Sequence, residues 1–243
     1  LLLKMKHAIQ IRNLKLGFDS KILMQSGNVD IPQGELIGLI GRNGVGKSTL
    51  LRCISGIEQP MAGTILVAGE PVETMSPAQR AKIVSFVATE NVRINGLRVK
   101  DVVGFGRSPY TDWFGRMCDE DNQIVSHALE SVMMQEFSEK SIDTLSDGER
   151  QRVMIARALA QDTPVVLLDE PTAFLDIPNK YQISQLLSRL AKELNRSILY
   201  STHDLAVAEH FCDKLLIIDN GEFTIDTPQR LKENGTLEKL FHI

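Results

Sequence analysis

Cysteine is scarce in this chain, with three residues in 243. Cys53, Cys118 and Cys212 are widely separated, odd in number and not at metal-ligand spacing, so neither a disulfide framework nor a structural zinc site is expected. Reduced thiols in a cytoplasmic protein are the simplest reading. Long apolar runs are also missing. The longest, residues 36–40 and 165–168, have the length of buried strands and fall far short of the ~18 residues of a membrane span. Any membrane role is therefore expected to go through a partner. There is no excess of positive charge, and a net charge of −4 argues against general nucleic-acid affinity. No internal repeat or low-complexity linker interrupts the chain. The opening Leu-Leu-Leu-Lys is too short for a signal peptide, and Met5 can serve as a start.

Hydrophobic residues at 43% and charged residues at 24% are ordinary for a folded domain. A chain of this length should bury roughly 70–75% of the surface it exposes when unfolded. The pattern predicts strands at residues 7–11, 29–31 and 36–40, then a helix from Lys47. Further strands are expected at 64–67 and 83–87, with Ser76-Pro77 opening a short helix between them. From 99 to 160 helical spacing dominates, most clearly over 121–134. Strands at 165–168 and 197–201 then alternate with a helix that turns Ile183, Leu187, Leu190 and Leu194 to one face. A helix from Asp204 and a hairpin at Asn220-Gly221 complete the series. Such alternation implies an α/β fold with a parallel sheet covered on both faces.

Gly41-Arg42-Asn43-Gly44-Val45-Gly46-Lys47-Ser48 fits G-x-x-x-x-G-K-[ST] and lies between a buried strand and a helix, where a P-loop must lie. Its backbone N–H groups, with Thr49 in the same turn, would cradle phosphates, and Lys47 would reach the β- and γ-phosphates. Ser48 is the expected Mg²⁺ ligand. Val165-Val166-Leu167-Leu168-Asp169-Glu170 ends a buried strand on two carboxylates, one to hold the metal and one to act on the attacking water. Read locally, the same pair is also an acidic cap for the next helix.

Leu145-Ser146-Asp147-Gly148-Glu149-Arg150-Gln151 resembles the signature loop of the ATP-binding-cassette (ABC) ATPases, usually L-S-G-G-Q. The resemblance covers nearly the whole chain. It implies one domain over 1–243 with a P-loop (RecA-like) core, an antiparallel β subdomain and a helical insertion at about 90–160. It also implies a homodimer that sandwiches two ATP molecules, with Ser146 and Gly148 binding the γ-phosphate of ATP held by the opposite copy. Locally, Ser146 and Glu149 would also form a capping box. Phe18 falls where the family stacks a ring on adenine, although a core phenylalanine is the competing reading. Ala173-Phe174-Leu175-Asp176 resembles the loop that crosses the dimer interface, and His203 matches the histidine that touches the γ-phosphate.

The implied function is ATP hydrolysis coupled to transport through membrane permease subunits, with a substrate-binding protein in the complete system, at the cytoplasmic face of the bacterial inner membrane. A soluble ABC ATPase acting in assembly or regulation is the alternative. The run 104–110, Gly-Phe-Gly-Arg-Ser-Pro-Tyr, followed by Trp113-Phe114-Gly115, is similar to one in importers of iron siderophores, haem and cobalamin, and falls where partner choice is expected. Two positions depart from the family. Asp147 replaces a glycine and is expected to face solvent or a basic neighbour. Thr89, followed by Glu90, stands where a glutamine usually meets the metal or water, so either is a further candidate metal ligand.

Overall fold

The structure is a computed structural model that describes residues 7–18, 21–89 and 96–241. The chain opens with two long strands, β1 (His7–Phe18) and β2 (Lys21–Pro32), paired antiparallel. The sequence pattern predicts only 7–11 and 29–31 because register shifts between Ile11 and Gly17 break the two-residue alternation that marks a strand. β3 (Leu36–Gly41) runs into the phosphate-loop motif, and α1 (Lys47–Ile54) follows it. β4 (Ala62–Val67) and β5 (Glu70–Pro71) join the first pair in a four-stranded antiparallel sheet of order β2-β1-β4-β5. Ser76 opens α2 (Pro77–Arg80) with a capping box closed by Gln79, as its Ser-Pro sequence implies.

β6 (Val84–Val87) leads to three helices, α3 (Val99–Gly104), α4 (Asp119–Ser131) and α5 (Asp147–Ala160). α4 stops at Ser131 although apolar spacing continues to Met134. Met133 adopts φ 60 and turns the chain, so Val132 and Met134 stay buried outside the helix. Then come β7 (Val165–Leu168), α6 (Ile177–Glu193), β8 (Ser197–Ser201), α7 (Leu205–Phe211), β9 (Lys214–Asp219), β10 (Glu222–Asp226), α8 (Pro228–Glu233) and α9 (Thr236–Phe241). Leu194, expected on the buried face of α6, caps that helix instead and is 41% exposed.

The second sheet has the order β10-β9-β3-β8-β7-β6, parallel throughout except for the antiparallel edge strand β10. Its strands divide their side chains between two cores at a period of two. Ile37, Leu39, Val165, Leu167, Leu216 and Ile218 pack with α1 and the antiparallel sheet. Their neighbours Leu36, Ile40, Val166, Leu168, Leu215 and Ile217 pack with the helices of the other face. Both faces are apolar, which explains why these strands read as unbroken hydrophobic runs. The carboxyl ends of β3, β8 and β7 lie side by side in this order, and a parallel sheet offers its ligand crevice at that edge.

Candidate active site

The loop from Gly41 to Lys47 turns on Gly46, which caps α1 at φ 106, a conformation open to glycine and strained for any other residue. A Cβ there would also stand 3.3 Å from Leu23 Cδ1. Lys47 follows at the head of the helix, buried, and its ammonium donates to the carbonyl oxygens of Gly41 at 2.8 Å and Arg42 at 3.3 Å. Burial lowers the Lys47 pKa, and the nearby charges of Glu170 and Asp169 oppose that shift. Asn43, Gly44, Gly46, Lys47, Ser48 and Thr49 line a cavity of about 410 Å³ together with Leu23 and Glu170. Five residues of the motif, the adjoining Thr49 and one of the two carboxylates are thus brought to one space.

Asp169 and Glu170 follow directly on β7, and a hydrogen-bonded chain joins them to the loop. The Ser48 hydroxyl donates to Asp169 Oδ1 at 3.0 Å, and the Ser201 hydroxyl donates to the same oxygen at 2.7 Å. Glu170 has left the strand conformation for φ 48, and its N–H donates to Ser201 Oγ at 2.8 Å. Its Oε2 lies 3.0 Å from His203 Nδ1. The adjacent carboxylates have therefore diverged, Asp169 toward Ser48 and Glu170 toward the cavity and His203. Thr89 donates its hydroxyl to the backbone carbonyl of Asp169 at 2.9 Å, while Glu90 lies outside the described residues.

Ser146 and Gly148 do not line this cavity. Ser146 caps α5 and shares a reciprocal capping box with Glu149, whose carboxylate accepts from the Ser146 hydroxyl at 2.7 Å and N–H at 2.8 Å. The Ser146 side-chain donor holds the Glu149 pKa below its ordinary value, and the Ser146 backbone N–H adds to this. Asp147 is exposed to solvent. Phe18 is the last residue of β1, and its side chain lies outside what the structure describes.

Among the described residues, no cluster of three or more His, Cys, Asp or Glu could hold a metal. One serine hydroxyl and one carboxylate 3.0 Å apart are nevertheless a fitting donor set for Mg²⁺, which takes hard oxygen ligands and draws the rest from phosphates and water.

A family profile described as ABC transporter matches residues 24–173, which contain the phosphate loop, the capped Ser146 segment and the Asp169–Glu170 strand end. The chain belongs to the ABC transporter family. As an ABC ATPase it binds ATP and hydrolyses it to power transport. This ABC ATPase is 40% identical over 215 residues to the iron(3+)-hydroxamate import ATP-binding protein of Bacillus subtilis, covering 88% of this chain and 80% of that one. A solved structure described as an inward-facing metal-chelate type ABC transporter superposes with a TM-score of 0.85 at 29% identity, covering 98% of this chain and 90% of that one. The dimeric post-hydrolysis state of an ATP-binding cassette bound to ADP and Pi superposes with a TM-score of 0.76 at 26% identity, covering 90% of this chain and 98% of that one. No helix of the ABC ATPase among the described residues is long and apolar enough to cross a membrane.

Two site residues of the ABC ATPase escape the sequence reading. Leu23 lines the cavity at the glycine loop from β2, and Ser201 joins Asp169 to Glu170 from β8. The serine two residues before His203 was the available signal, since a polar side chain ending a buried strand requires a partner.

Within the 104–110 run, Gly106 and Arg107 are turned into the chain's own interior. A Cβ on Gly106 would meet the Arg157 carbonyl at 2.2 Å, so glycine lets this segment lie against α5. Arg107 is buried, paired with Asp121 at 2.8 Å, bonded to the Ala160 carbonyl at 2.9 Å and set over the Tyr110 ring at 4.0 Å. Trp113, 96% exposed, and Phe114, 79% exposed, stand out toward solvent after the run.

Proposed function

We propose that this ABC ATPase drives import of a chelated metal, an iron siderophore first and haem or cobalamin by the same logic, through separate membrane subunits. The observation that carries the catalytic part is the shared cavity: the Glu170 carboxylate opens onto the space lined by Lys47 and Ser48 and contacts His203. In this reading Glu170 takes a proton from water as the water oxygen attacks the γ-phosphorus and the bond to ADP breaks. Lys47 and His203 stabilise the charge that develops on the γ-phosphate. With the nucleotide, Ser48 and Asp169 would hold Mg²⁺, which would supply positive charge against the phosphates. Gly41, Asn43, Gly44, Gly46 and Thr49 frame the phosphates, and Phe18 stacks on adenine.

Two copies complete the reaction, with Ser146 and Gly148 of one facing the γ-phosphate held by the other. Their placement at a helix start outside the cavity of their own chain supports that division. The solved cassette dimer with ADP and Pi supports the same arrangement. The helical insertion serves as the seat of the membrane subunits. A groove of about 500 Å³ is lined by Pro77, Arg80, Phe86, Met154, Arg157 and Gln161. The protein then works at the cytoplasmic face of the membrane, with a substrate-binding protein delivering cargo outside. The iron-hydroxamate and metal-chelate relatives support the cargo class.

The test is to purify the protein with its native membrane subunits and measure hydrolysis with loaded binding protein. Stimulation by a ferric chelate or cobalamin is expected. Stimulation only by a sugar or amino acid would overturn the cargo assignment.

A further inference from the structure

Ser201 is fully buried at the last position of β8, level with the end of β7, and two residues before His203. We infer that it is a positioning residue for hydrolysis, whose hydroxyl holds Glu170 in the backbone conformation that presents its carboxylate to the nucleotide. The inference rests on the proposed role of Glu170.

The geometry assigns each valence of that hydroxyl. Its hydrogen goes to Asp169 Oδ1 at 2.7 Å, which leaves the lone pairs to accept the Glu170 N–H at 2.8 Å. Asp169 Oδ1 also accepts from Ser48 at 3.0 Å, so one oxygen fixes the direction of both serines. Glu170 itself sits at φ 48, a conformation unfavourable to any residue with a Cβ and retained only where the surroundings over-determine it. Two anchors do so here: the N–H bond to Ser201 and the carbonyl of Glu170, which accepts from the Ala173 N–H at 2.9 Å. Without the Ser201 oxygen the Glu170 N–H loses its acceptor, and the backbone can relax toward negative φ. That rotation would carry the carboxylate away from His203, now at 3.0 Å, and out of line for attack. Lys47, held by carbonyls of its own loop, would not move.

Ser201→Thr and Ser201→Val decide the question, because they have nearly the same shape and differ by the hydroxyl. Turnover, affinity for a fluorescent ATP analogue without Mg²⁺, and melting temperature are measured on the full chain, with Glu170→Gln as reference. The inference expects Ser201→Val to lose about 10- to 100-fold in kcat, the scale of a misplaced catalytic group, while Ser201→Thr stays within about threefold of the parent. Metal-free nucleotide affinity and melting temperature should match between the two variants. Equal kcat in the two, or a loss in Ser201→Val that tracks lost nucleotide binding and stability, overturns it. Should Glu170→Gln be slow while Ser201→Val turns over normally, only the Ser201 inference falls. If Glu170→Gln turns over normally, the role of Glu170 falls and the inference falls with it.

Discussion

His203 Nδ1 stands 3.0 Å from Glu170 Oε2, joining residues from the ends of two neighbouring parallel strands. The histidine is 56% exposed at its side chain and the glutamate 23%, so the pair lies at the mouth of the site with the carboxylate inward. Glu170→Gln is expected to bind MgATP, accumulate as an ATP-bound dimer and hydrolyse about 10²–10⁴ times more slowly. His203→Ala should also be slow. If the two residues act as a unit, the double variant will be little slower than Glu170→Gln alone, since coupled catalytic groups are not additive. Phosphate release from the three proteins measures this. Near-normal turnover of Glu170→Gln would remove it as the base.

Thr89 occupies the place of a glutamine, and its hydroxyl is spent on the Asp169 carbonyl at 2.9 Å. This makes it a tie between the β6 loop and the backbone of the proposed metal-ligand residue. A neutral hydrogen bond contributes roughly 0.5–1.5 kcal/mol, so Thr89→Ala should lose no more than about tenfold in turnover. Thr89→Ser should lose almost nothing. Because the side chain acts on the backbone and not on the metal, the Mg²⁺ concentration giving half-maximal hydrolysis should stay the same. An increased Mg²⁺ requirement in Thr89→Ala would place the hydroxyl among the ligands.

The same contrast explains what the sequence made legible. The phosphate loop and the Asp169–Glu170 strand end are contiguous, and each motif carries its own strand and helix context, so the chemistry could be read before any fold was known. Ser201 is harder to read, because a polar residue ending an apolar strand signals that a partner is needed but not which one, and its partners lie 31 and 32 positions away. The end of α4 was hidden for a different reason. Val132 and Met134 continue the helical apolar pattern, while a single left-handed residue between them stops the helix. Nothing in the 104–110 run tells that Arg107 is turned inward by Asp121, fourteen positions on, because an arginine is seldom buried without a partner and that partner is set by the fold.

That buried pair sets the acid sensitivity of the helical insertion. The Arg107 side-chain hydrogen bond, followed by the Cys118 backbone and thiol donors, holds the Asp121 carboxyl below its ordinary value. A carboxyl depressed in the folded state stabilises fully above its unfolded pKa, and that contribution is lost as pH falls through the folded value. The insertion should therefore loosen only in acid below the ordinary aspartate range. Asp121→Asn leaves Arg107 buried without its counter-charge and should cost about 3–5 kcal/mol at neutral pH, while weakening the acid dependence. Urea unfolding at pH 7 and pH 3 checks both statements. A neutral-pH loss under about 1 kcal/mol would show that the arginine escapes to solvent.

Trp113 is the chain's single tryptophan, and 96% of it is exposed at the tip of a built turn. Asp112 Oδ1 accepts the N–H groups of Phe114 and Arg116, both at 2.9 Å, so the turn holds Trp113 and Phe114 outward with no side-chain core of their own. Two adjacent aromatics fixed in water bury nothing for folding, and patches of this kind mark contact with another molecule. The same segment reaches Gln161, which lines the groove with Arg157, through Tyr110, whose hydroxyl donates to the Gln161 carbonyl at 3.1 Å. Trp113 fluorescence should therefore report assembly directly. In the isolated protein its emission should be that of a hydrated indole and be quenched readily by iodide, and membrane subunits should shift it to shorter wavelength and protect it. Trp113→Ala with Phe114→Ala should leave basal hydrolysis intact and stability within about 0.5 kcal/mol, the scale of surface changes. The same variant should bind the membrane subunits at least tenfold more weakly, as expected for aromatic anchors. An emission spectrum unchanged on assembly would place the membrane subunits elsewhere on the insertion.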